Sequence, residues 1–433
     1  MTRRIVASAL ANLPADDLFL RSKALLFLAR QYQRHGMIDD ALDRLAEELS
    51  SAAAQSVSYA TRLSFARHLV LIVEGRFLAA EQTIEFYLRL ADKTGLPSTI
   101  GNARMIAALL YYALCDDDQA IAHCCAALAQ PFQSNITNRD IVALHLIDLY
   151  AQAGDTAAAV QVAADYAALA AGIGDAETAA NAQMLEAAAR ILTGQAPSAH
   201  GWLNSLKIDR VSAIRPYEGW VWGCGMLALG TPEALASAAG GLTNLIARCE
   251  AIHFRAWTAK LLTVLARVYA KQGQQASGAA ALCEAVRLSD LPSLQRGLLD
   301  QDPLLDRLVA QALQIPRDET DPDGTDLYSA LHELQSVRRL SAARDGAPVM
   351  SSAGLHAAAY PDPALPPPEP LTARELEILR LLDARRSSKE ISSQLNISVN
   401  TVRNHTARIY EKLAVDGWLA ATQRARALGL LPR

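Results

Sequence analysis

The stretch LIDLYAQAGDTAAA, residues 146–159, holds the unit from which most of the chain is built. Leu146, Tyr150 and Gly154 are four residues apart, so Leu and Tyr share one helix face and Gly lets the chain turn. Ala159 then opens a second helix, and its small side chain permits a close approach of the pair. The same Leu-x3-Tyr-x3-Gly pattern recurs as Leu28, Tyr32, Gly36 and as Leu265, Tyr269, Gly273. Working outward, Gly36, Gly75, Cys115, Gly154, Gly194, Gly230 and Gly273 are separated by 39, 40, 39, 40, 36 and 43 residues. The first five are followed five residues later by Ala41, Ala80, Ala120, Ala159 and Ala199, the sixth by Ala234 after four, and the seventh by Gly278 and Ala279. One helical hairpin cannot bury its apolar face without a neighbour, so a sustained period of this size means stacked repeats. The regular register weighs against an irregular bundle with accidental spacing. Residues 1–316 are expected to form a helical-repeat solenoid.

Composition agrees with an all-α protein of several units. The chain has 433 residues, 51% of hydrophobic type and 20% charged, with 82 alanines, which excludes a disordered or collagen-like chain and favours helix. No uninterrupted apolar run is long enough to span a membrane, and Arg3-Arg4 with residues 5–10 reads as the start of a helix rather than a leader. No membrane association and a cytoplasmic location are expected. Cys115, Cys124, Cys125, Cys224, Cys249 and Cys283 lack the paired short spacing of a zinc site or a disulfide scaffold. His123, Cys124 and Cys125 point about 100° apart on a helix, so no metal and no cofactor are expected. No paired carboxylates, nucleophile triad or phosphate loop suggests an enzyme. No alternation of strands and helices suggests a phosphorylated receiver.

Charge divides the chain. Residues 370–433 carry 11 Lys+Arg against 6 Asp+Glu, net +5, which leaves residues 1–369 at −9. A basic tail on an acidic body points to a polyanion-binding module. Residues 317–369 form a linker, with six prolines between Pro361 and Pro370 and apolar residues at helical spacing over 325–343. Beyond it, Thr372 and Glu375 make a capping box that starts a helix whose Leu376, Ile378, Leu379, Leu381 and Leu382 can pack inward. A short helix over 389–395, a tight turn at Asn396-Ile397-Ser398 and a third helix capped by Ser398 and running to about Leu413 complete a helix-turn-helix. On the third helix Arg403 and Asn404 are the candidates for base edges, since Arg suits guanine and Asn suits adenine in the major groove of double-stranded DNA. Lys389, Ser398, Asn400, Thr401, His405 and Arg408 are candidate phosphate contacts, with Val402 and Ile409 on the core side. For His405, a neutral imidazole hydrogen-bonded within the helix packing is the alternative.

These residues carry a resemblance. LTARELEILRLL, SSKEISSQLNISVNTVRNHTARIYEKLAV and ARALGLL resemble the four-helix DNA-binding domain of LuxR/NarL/FixJ-type regulators over residues 371–431. The resemblance implies a transcription regulator, most often an activator, that forms a homodimer on DNA through its last helix, here near Trp418 and Leu419, and contacts RNA polymerase. Arg385 stands where the family has glycine, Trp418 where it has arginine, and Ala407 where members often carry a polar or basic base contact. The repeats are similar to tetratricopeptide repeats, though longer, and with residues 297–313, GLLDQDPLLDRLVAQAL, they look most like the sensor region of MalT-like regulators. That family begins with an ATPase. Nothing here matches its phosphate-binding loop, so its ATP-driven switch is not carried over.

Residues 202–257 contain four of the five tryptophans, Trp202, Trp220, Trp222 and Trp257, with Arg215, Tyr217, His253 and Arg255 among them. Arg215, Tyr217, Trp220, Trp222, Arg255 and Trp257 are candidates to bind a small-molecule effector of organic or sugar-like type, inter-helix packing being the plainer alternative. The other functional reading is a repeat scaffold that controls or tethers the DNA-binding domain through a protein partner.

Overall fold

The computed structural model describes residues 12–14, 16–51, 55–129, 139–288, 302–314, 324–342, 371–384, 386 and 388–395, and beyond these positions 402, 405, 406, 409, 421, 425, 430 and 431. No strand occurs among the described residues, and the fold is all-α. The chain divides into two compact units, Met1–Val349 and Met350–Arg433, at a point inside the expected linker.

The first unit is a stack of helical hairpins. Helix α1 (Leu18–Gln33) pairs with α2 (Ile38–Ser50), α3 (Val57–Val73) with α4 (Phe77–Thr94), α5 (Pro97–Ala113) with α6 (Asp117–Leu128), and α7 (Arg139–Gln152) with α8 (Thr156–Ile173). After α9 (Ala176–Leu192) the return helix is broken into the 3-10 turn Ala196–Ala199, the six-residue α10 (His200–Ser205) and the 3-10 turn Ile208–Arg210. Regular pairing resumes with α11 (Tyr217–Leu229) and α12 (Pro232–Glu250), α13 (Arg255–Lys271) and α14 (Gln275–Arg287), and α15 (Pro303–Ala312) and α16 (Gly324–Ala342). The leading helix of each hairpin also packs on the leading helix of the next, from α1 on α3 through to α13 on α15. This is how each hairpin obtains the neighbour it needs.

All seven positions that set the register have left-handed backbone, with φ between 56° and 82°. At six of them the following amide donates five residues back, as Asp155 N does to Tyr150 O at 2.8 Å, the hydrogen bond that closes a Schellman turn. Cys115, at φ 56°, shows that geometry rather than residue type is what the period repeats. Ala41, Ala80, Ala120 and Ala159 are wholly buried against their partner helices, and Ala199 and Ala234 nearly so. In the seventh repeat a Cβ on Gly278 would lie 2.9 Å from the Ala266 carbonyl oxygen and 2.8 Å from Leu308 Cδ2.

The stack curls until α3 meets α13. Gln33 is wholly buried at this closure, its amide donating to Glu74 Oε1 at 2.9 Å, Ile252 O at 3.2 Å and His253 O at 2.6 Å. Burial raises the Glu74 carboxyl above its ordinary range. Helix α16, inside the sequence-defined linker, packs on α14 and α15 with Leu331 and Leu334 wholly buried, and Arg338 Nε donates to Asp306 at 2.7 Å. Helix α8 is long and apolar enough to cross a membrane by length and composition, while Ala159, Ala163, Tyr166 and Ala170 on one side of it belong to the buried core of the stack.

In the second unit, α17 (Ala373–Asp383) begins with the expected capping box: Thr372 Oγ1 accepts from Glu375 N at 3.2 Å and Thr372 N donates to Glu375 Oε2 at 2.8 Å. Helix α18 (Ser388–Leu395) follows, and Arg374 Nη2 donates to its last carbonyl, Leu395 O, at 2.9 Å. Ile378, Leu379, Ile391, Val402, Ile409, Ala421 and Ala425 are wholly buried together, with Leu376, Leu381 and Leu382 packed around them.

Candidate functional site

Two groups of residues carry chemistry beyond packing. The first is the helix that follows α18. Val402, His405, Thr406 and Ile409 are helical, Thr406 Oγ1 donates to Val402 O at 2.9 Å, and Val402 and Ile409 are wholly buried while His405 is half-buried. The core side expected from the sequence is therefore the core side observed. Lys389 lies within α18, but its side chain, like Ser398, Asn400, Thr401, Arg403, Asn404, Arg408, Ala407, Arg385, Trp418 and Leu419, is outside the described residues. Beside α18, Arg386 pairs with Glu390 at 3.2 Å.

The second group lies where the leading helices of the hairpins converge. Helix α7, RDIVALHLIDLYAQ, is apolar by composition, yet Asp140, His145 and Asp148 are all buried in it. Tyr112 from α5 stacks on His145 with centroids 3.9 Å apart and donates its hydroxyl proton to Asp148. Lys260 from α13 donates to the Tyr112 hydroxyl at 2.5 Å, and its ammonium stands 4.0 Å from the Trp220 ring, 4.5 Å from the Tyr112 ring and 5.1 Å from the Trp257 ring. A half-buried cation among three aromatic faces is held by the ring quadrupoles, at about 0.5 to 2 kcal/mol for each good contact. Four hairpins are thereby joined across the interior.

Arg215 anchors an adjoining network. Its guanidinium meets Asp140 at 2.9 Å, Glu177 at 2.6 Å, Glu218 at 3.3 Å and Asn181 Oδ1 at 2.5 Å. Tyr217 donates to Asp140 Oδ2 at 2.8 Å and lies 6.1 Å from Trp257, which links the two networks. Burial pushes the Asp140 carboxyl up to about 6 despite Tyr217 and Arg215, and raises Glu218 as well.

Of the six effector candidates, the structure thus brings Arg215, Tyr217, Trp220 and Trp257 together. Trp222 is set apart, 3% exposed with its indole N–H donating to Leu203 O at 3.2 Å, and Arg255 is exposed at the start of α13. Sequence reasoning missed Tyr112, Asp140, His145, Asp148 and Lys260. Their signal was available in Asp140, His145 and Asp148, charged or polar residues five and three apart inside apolar α7, and in a lysine three residues after Trp257 on apolar α13. Among the described residues no group of three or more His, Cys, Asp or Glu could hold a metal ion.

Comparison with known proteins bears on the second unit. Residues 369–425 match the family described as bacterial regulatory proteins, luxR family. Over 60 residues the chain is 42% identical to the transcriptional regulatory protein DesR of Bacillus subtilis (strain 168), covering 14% of this chain and 30% of that protein. Over 61 residues it is 43% identical to the spore germination protein GerE of the same organism, covering 14% of this chain and 82% of that protein. The chain therefore spans under a third of the first relative and most of the second, and the family match covers none of residues 1–368.

Proposed function

We propose, for a chain that belongs through its C-terminal domain to the luxR family of bacterial regulatory proteins, that it is a sequence-specific transcription regulator governed by its helical-repeat unit. The observation that carries this is the second unit itself: a capped first helix, a short second helix and a third helix seated by Val402 and Ile409, in the segment that matches the family. With that core side fixed, the sequence assigns Arg403 and Asn404 to base edges, and Lys389, Ser398, Asn400, Thr401, His405 and Arg408 to phosphates. The protein acts in the cytoplasm as a homodimer on double-stranded DNA, as an activator in contact with RNA polymerase, and without enzymatic activity.

The repeat unit, which we take to be TPR-like and akin to MalT-like sensor regions, receives a small-molecule effector. What supports this over the protein-scaffold reading is the interior: the leading helices of four hairpins meet there through Tyr112, His145, Trp220, Trp257 and Lys260, which leaves little inner face open to an extended peptide. An effector can shift such a unit only by binding one arrangement more tightly than the other.

The test is binding-site selection and salt-dependent DNA titration with the full chain. Arg403→Ala should relax the selected motif and cost about 1 to 3 kcal/mol at the cognate site, whereas Lys389→Ala should weaken all sequences alike and flatten the salt dependence. A selected motif unchanged by Arg403→Ala would move Arg403 to the phosphates.

A further inference from the structure

The fifth hairpin is the irregular one. Where the regular return helices from α2 to α14 run from 12 to 19 residues, the segment after α9 has only the six residues of α10 between two 3-10 turns. A segment so short cannot cover the flank of α9, and a cavity of about 280 Å³ remains between them. The gap is held open from behind. Arg248 on α12 donates to Ile208 O at 3.2 Å, Asp209 O at 3.1 Å and Val211 O at 2.7 Å, which fixes the second turn. Trp222 fixes α10 through Leu203 O, and a Cβ on Gly241 would touch Ile208 and Trp222 at 3.0 Å, so the segment is seated tightly on its far side.

The lining of the cavity combines apolar side chains with charges of both signs. Met184, Trp202, Leu206 and Val211 supply the apolar part. Glu218 and Asn181 line it beside Arg215, whose single guanidinium faces the three carboxylates of Asp140, Glu177 and Glu218, so negative charge is in excess. Lys207 and Arg210 line the cavity from the broken segment; both are exposed, and neither side chain makes a hydrogen bond or ion pair with any described residue. A single charge on a ligand would satisfy one of these sets and leave the other unanswered.

We infer that this cavity binds a small zwitterion of amino-acid type, with its ammonium toward Glu218, its carboxylate toward Lys207 and Arg210, and its apolar side group against Trp202 and Met184. The site is distinct from the Lys260 interior. Its regulatory consequence rests on the reading of the repeat unit as the sensor; its occupancy does not. Ligand contacts to Trp202 and Leu206 would bear on α10, and those to Arg210 on the turn pinned by Arg248. Binding thereby braces the fifth hairpin, whose return helix is incomplete.

The experiment is calorimetric titration of the full-length protein with L-phenylalanine, L-leucine and L-methionine. N-acetyl-L-phenylalanine and L-phenylalaninamide serve as analogues that each lack one charge. At least one amino acid binds, and removing either charge weakens binding by about tenfold or more, as loss of a charge-assisted contact should. Lys207→Gln with Arg210→Gln abolishes the preference for phenylalanine over its amide, and Glu218→Gln abolishes the preference over the N-acetyl compound. Ala180→Trp, at an exposed cavity-lining position, blocks binding while circular dichroism shows the helices intact. No binding by any of the three amino acids, equal binding by the single-charge analogues, or undiminished binding by the Ala180→Trp protein overturns the inference. DNA affinity is measured in the same samples: an amino acid that binds without changing it refutes the sensor reading and leaves the site standing, whereas absent binding with intact DNA recognition refutes the site alone.

Discussion

Asp140→Asn sets two opposing forces against each other. The Asp140 side chain is 0% exposed, paired with Arg215 at 2.9 Å and bonded by Tyr217 at 2.8 Å. The ion pair favours the carboxylate, and burial favours the acid. Burial prevails, moving the group from 3.8 to about 6, because Asp140 faces one guanidinium that is itself shared with Glu177 and Glu218. Between those values the folded protein holds a proton that the unfolded chain has released, so this group's contribution to stability falls as pH rises and is lowest above about 6. At 1.36 kcal/mol per pH unit the whole effect is about 3 kcal/mol, of which about 2 kcal/mol falls between about pH 4.5 and 7.5. Asparagine keeps the size and can still accept from Tyr217, but it does not titrate. Urea unfolding of wild type and Asp140→Asn across that range, with equal slopes in denaturant, should therefore show the variant gaining on the wild type by about 2 kcal/mol toward high pH. Glu218 titrates in both proteins and cancels to first order. A difference that is flat, or that shrinks as pH rises, would mean that the Arg215 pair outweighs burial and would refute the reasoning.

Gly172 and Gly278 are both helical, yet a Cβ meets nothing within 4 Å at the first and the Ala266 carbonyl oxygen at 2.9 Å at the second. Gly172→Ala should raise the melting temperature, by about 0.5 to 1 kcal/mol of stability, and Gly278→Ala should lower it, by about 1 to 3 kcal/mol; equal signs would refute the close packing of α13 and α14. Cys115→Gly should stabilise by up to about 1 kcal/mol in chemical denaturation, since only glycine takes φ 56° without a Cβ penalty, and a loss would mean the thiol contributes more than the strain costs. Gln33→Leu leaves Glu74, Ile252 O and His253 O without their shared donor, which should cost about 1 to 3 kcal/mol and speed hydrogen exchange in α3 and α13 before α7; unchanged exchange there would mean the closure does not depend on Gln33.

What the sequence made legible is what repeats locally. A turn that needs left-handed backbone, a small residue near the start of the return helix and a leucine on the inner face are constraints within some fifteen residues, so they survive as a visible period through Cys115. The helix-turn-helix is legible for the same reason: Thr372 and Glu375 satisfy each other within one helical turn, and Val402 and Ile409 share a face two turns apart. The fifth repeat kept its Gly194 and Ala199 in register while losing most of its return helix, because α10 ends at Ser205, well after the turn that sets the register. A period read from turns does not report such a gap.

The interior was hidden by the same logic. Lys260 and Tyr112 are 148 residues apart, and Gln33 and His253 are 220 apart, so no local pattern can announce either contact. They meet only because small rotations between successive hairpins accumulate until α3 faces α13. Residues chosen for aromatic and guanidinium character were then sorted by that curvature rather than by chemistry: Trp220 and Trp257 reached the interior cation, while Trp222, two residues from Trp220 and so about 200° around the helix, became the anchor of α10. The anchoring role is what separates the two effector hypotheses in a measurement. Trp222→Phe removes one hydrogen bond to Leu203 O and should loosen the broken segment, weakening amino-acid binding without altering the Lys260 interior. If the effector instead engages Trp220 and Trp257, the same substitution leaves its affinity unchanged.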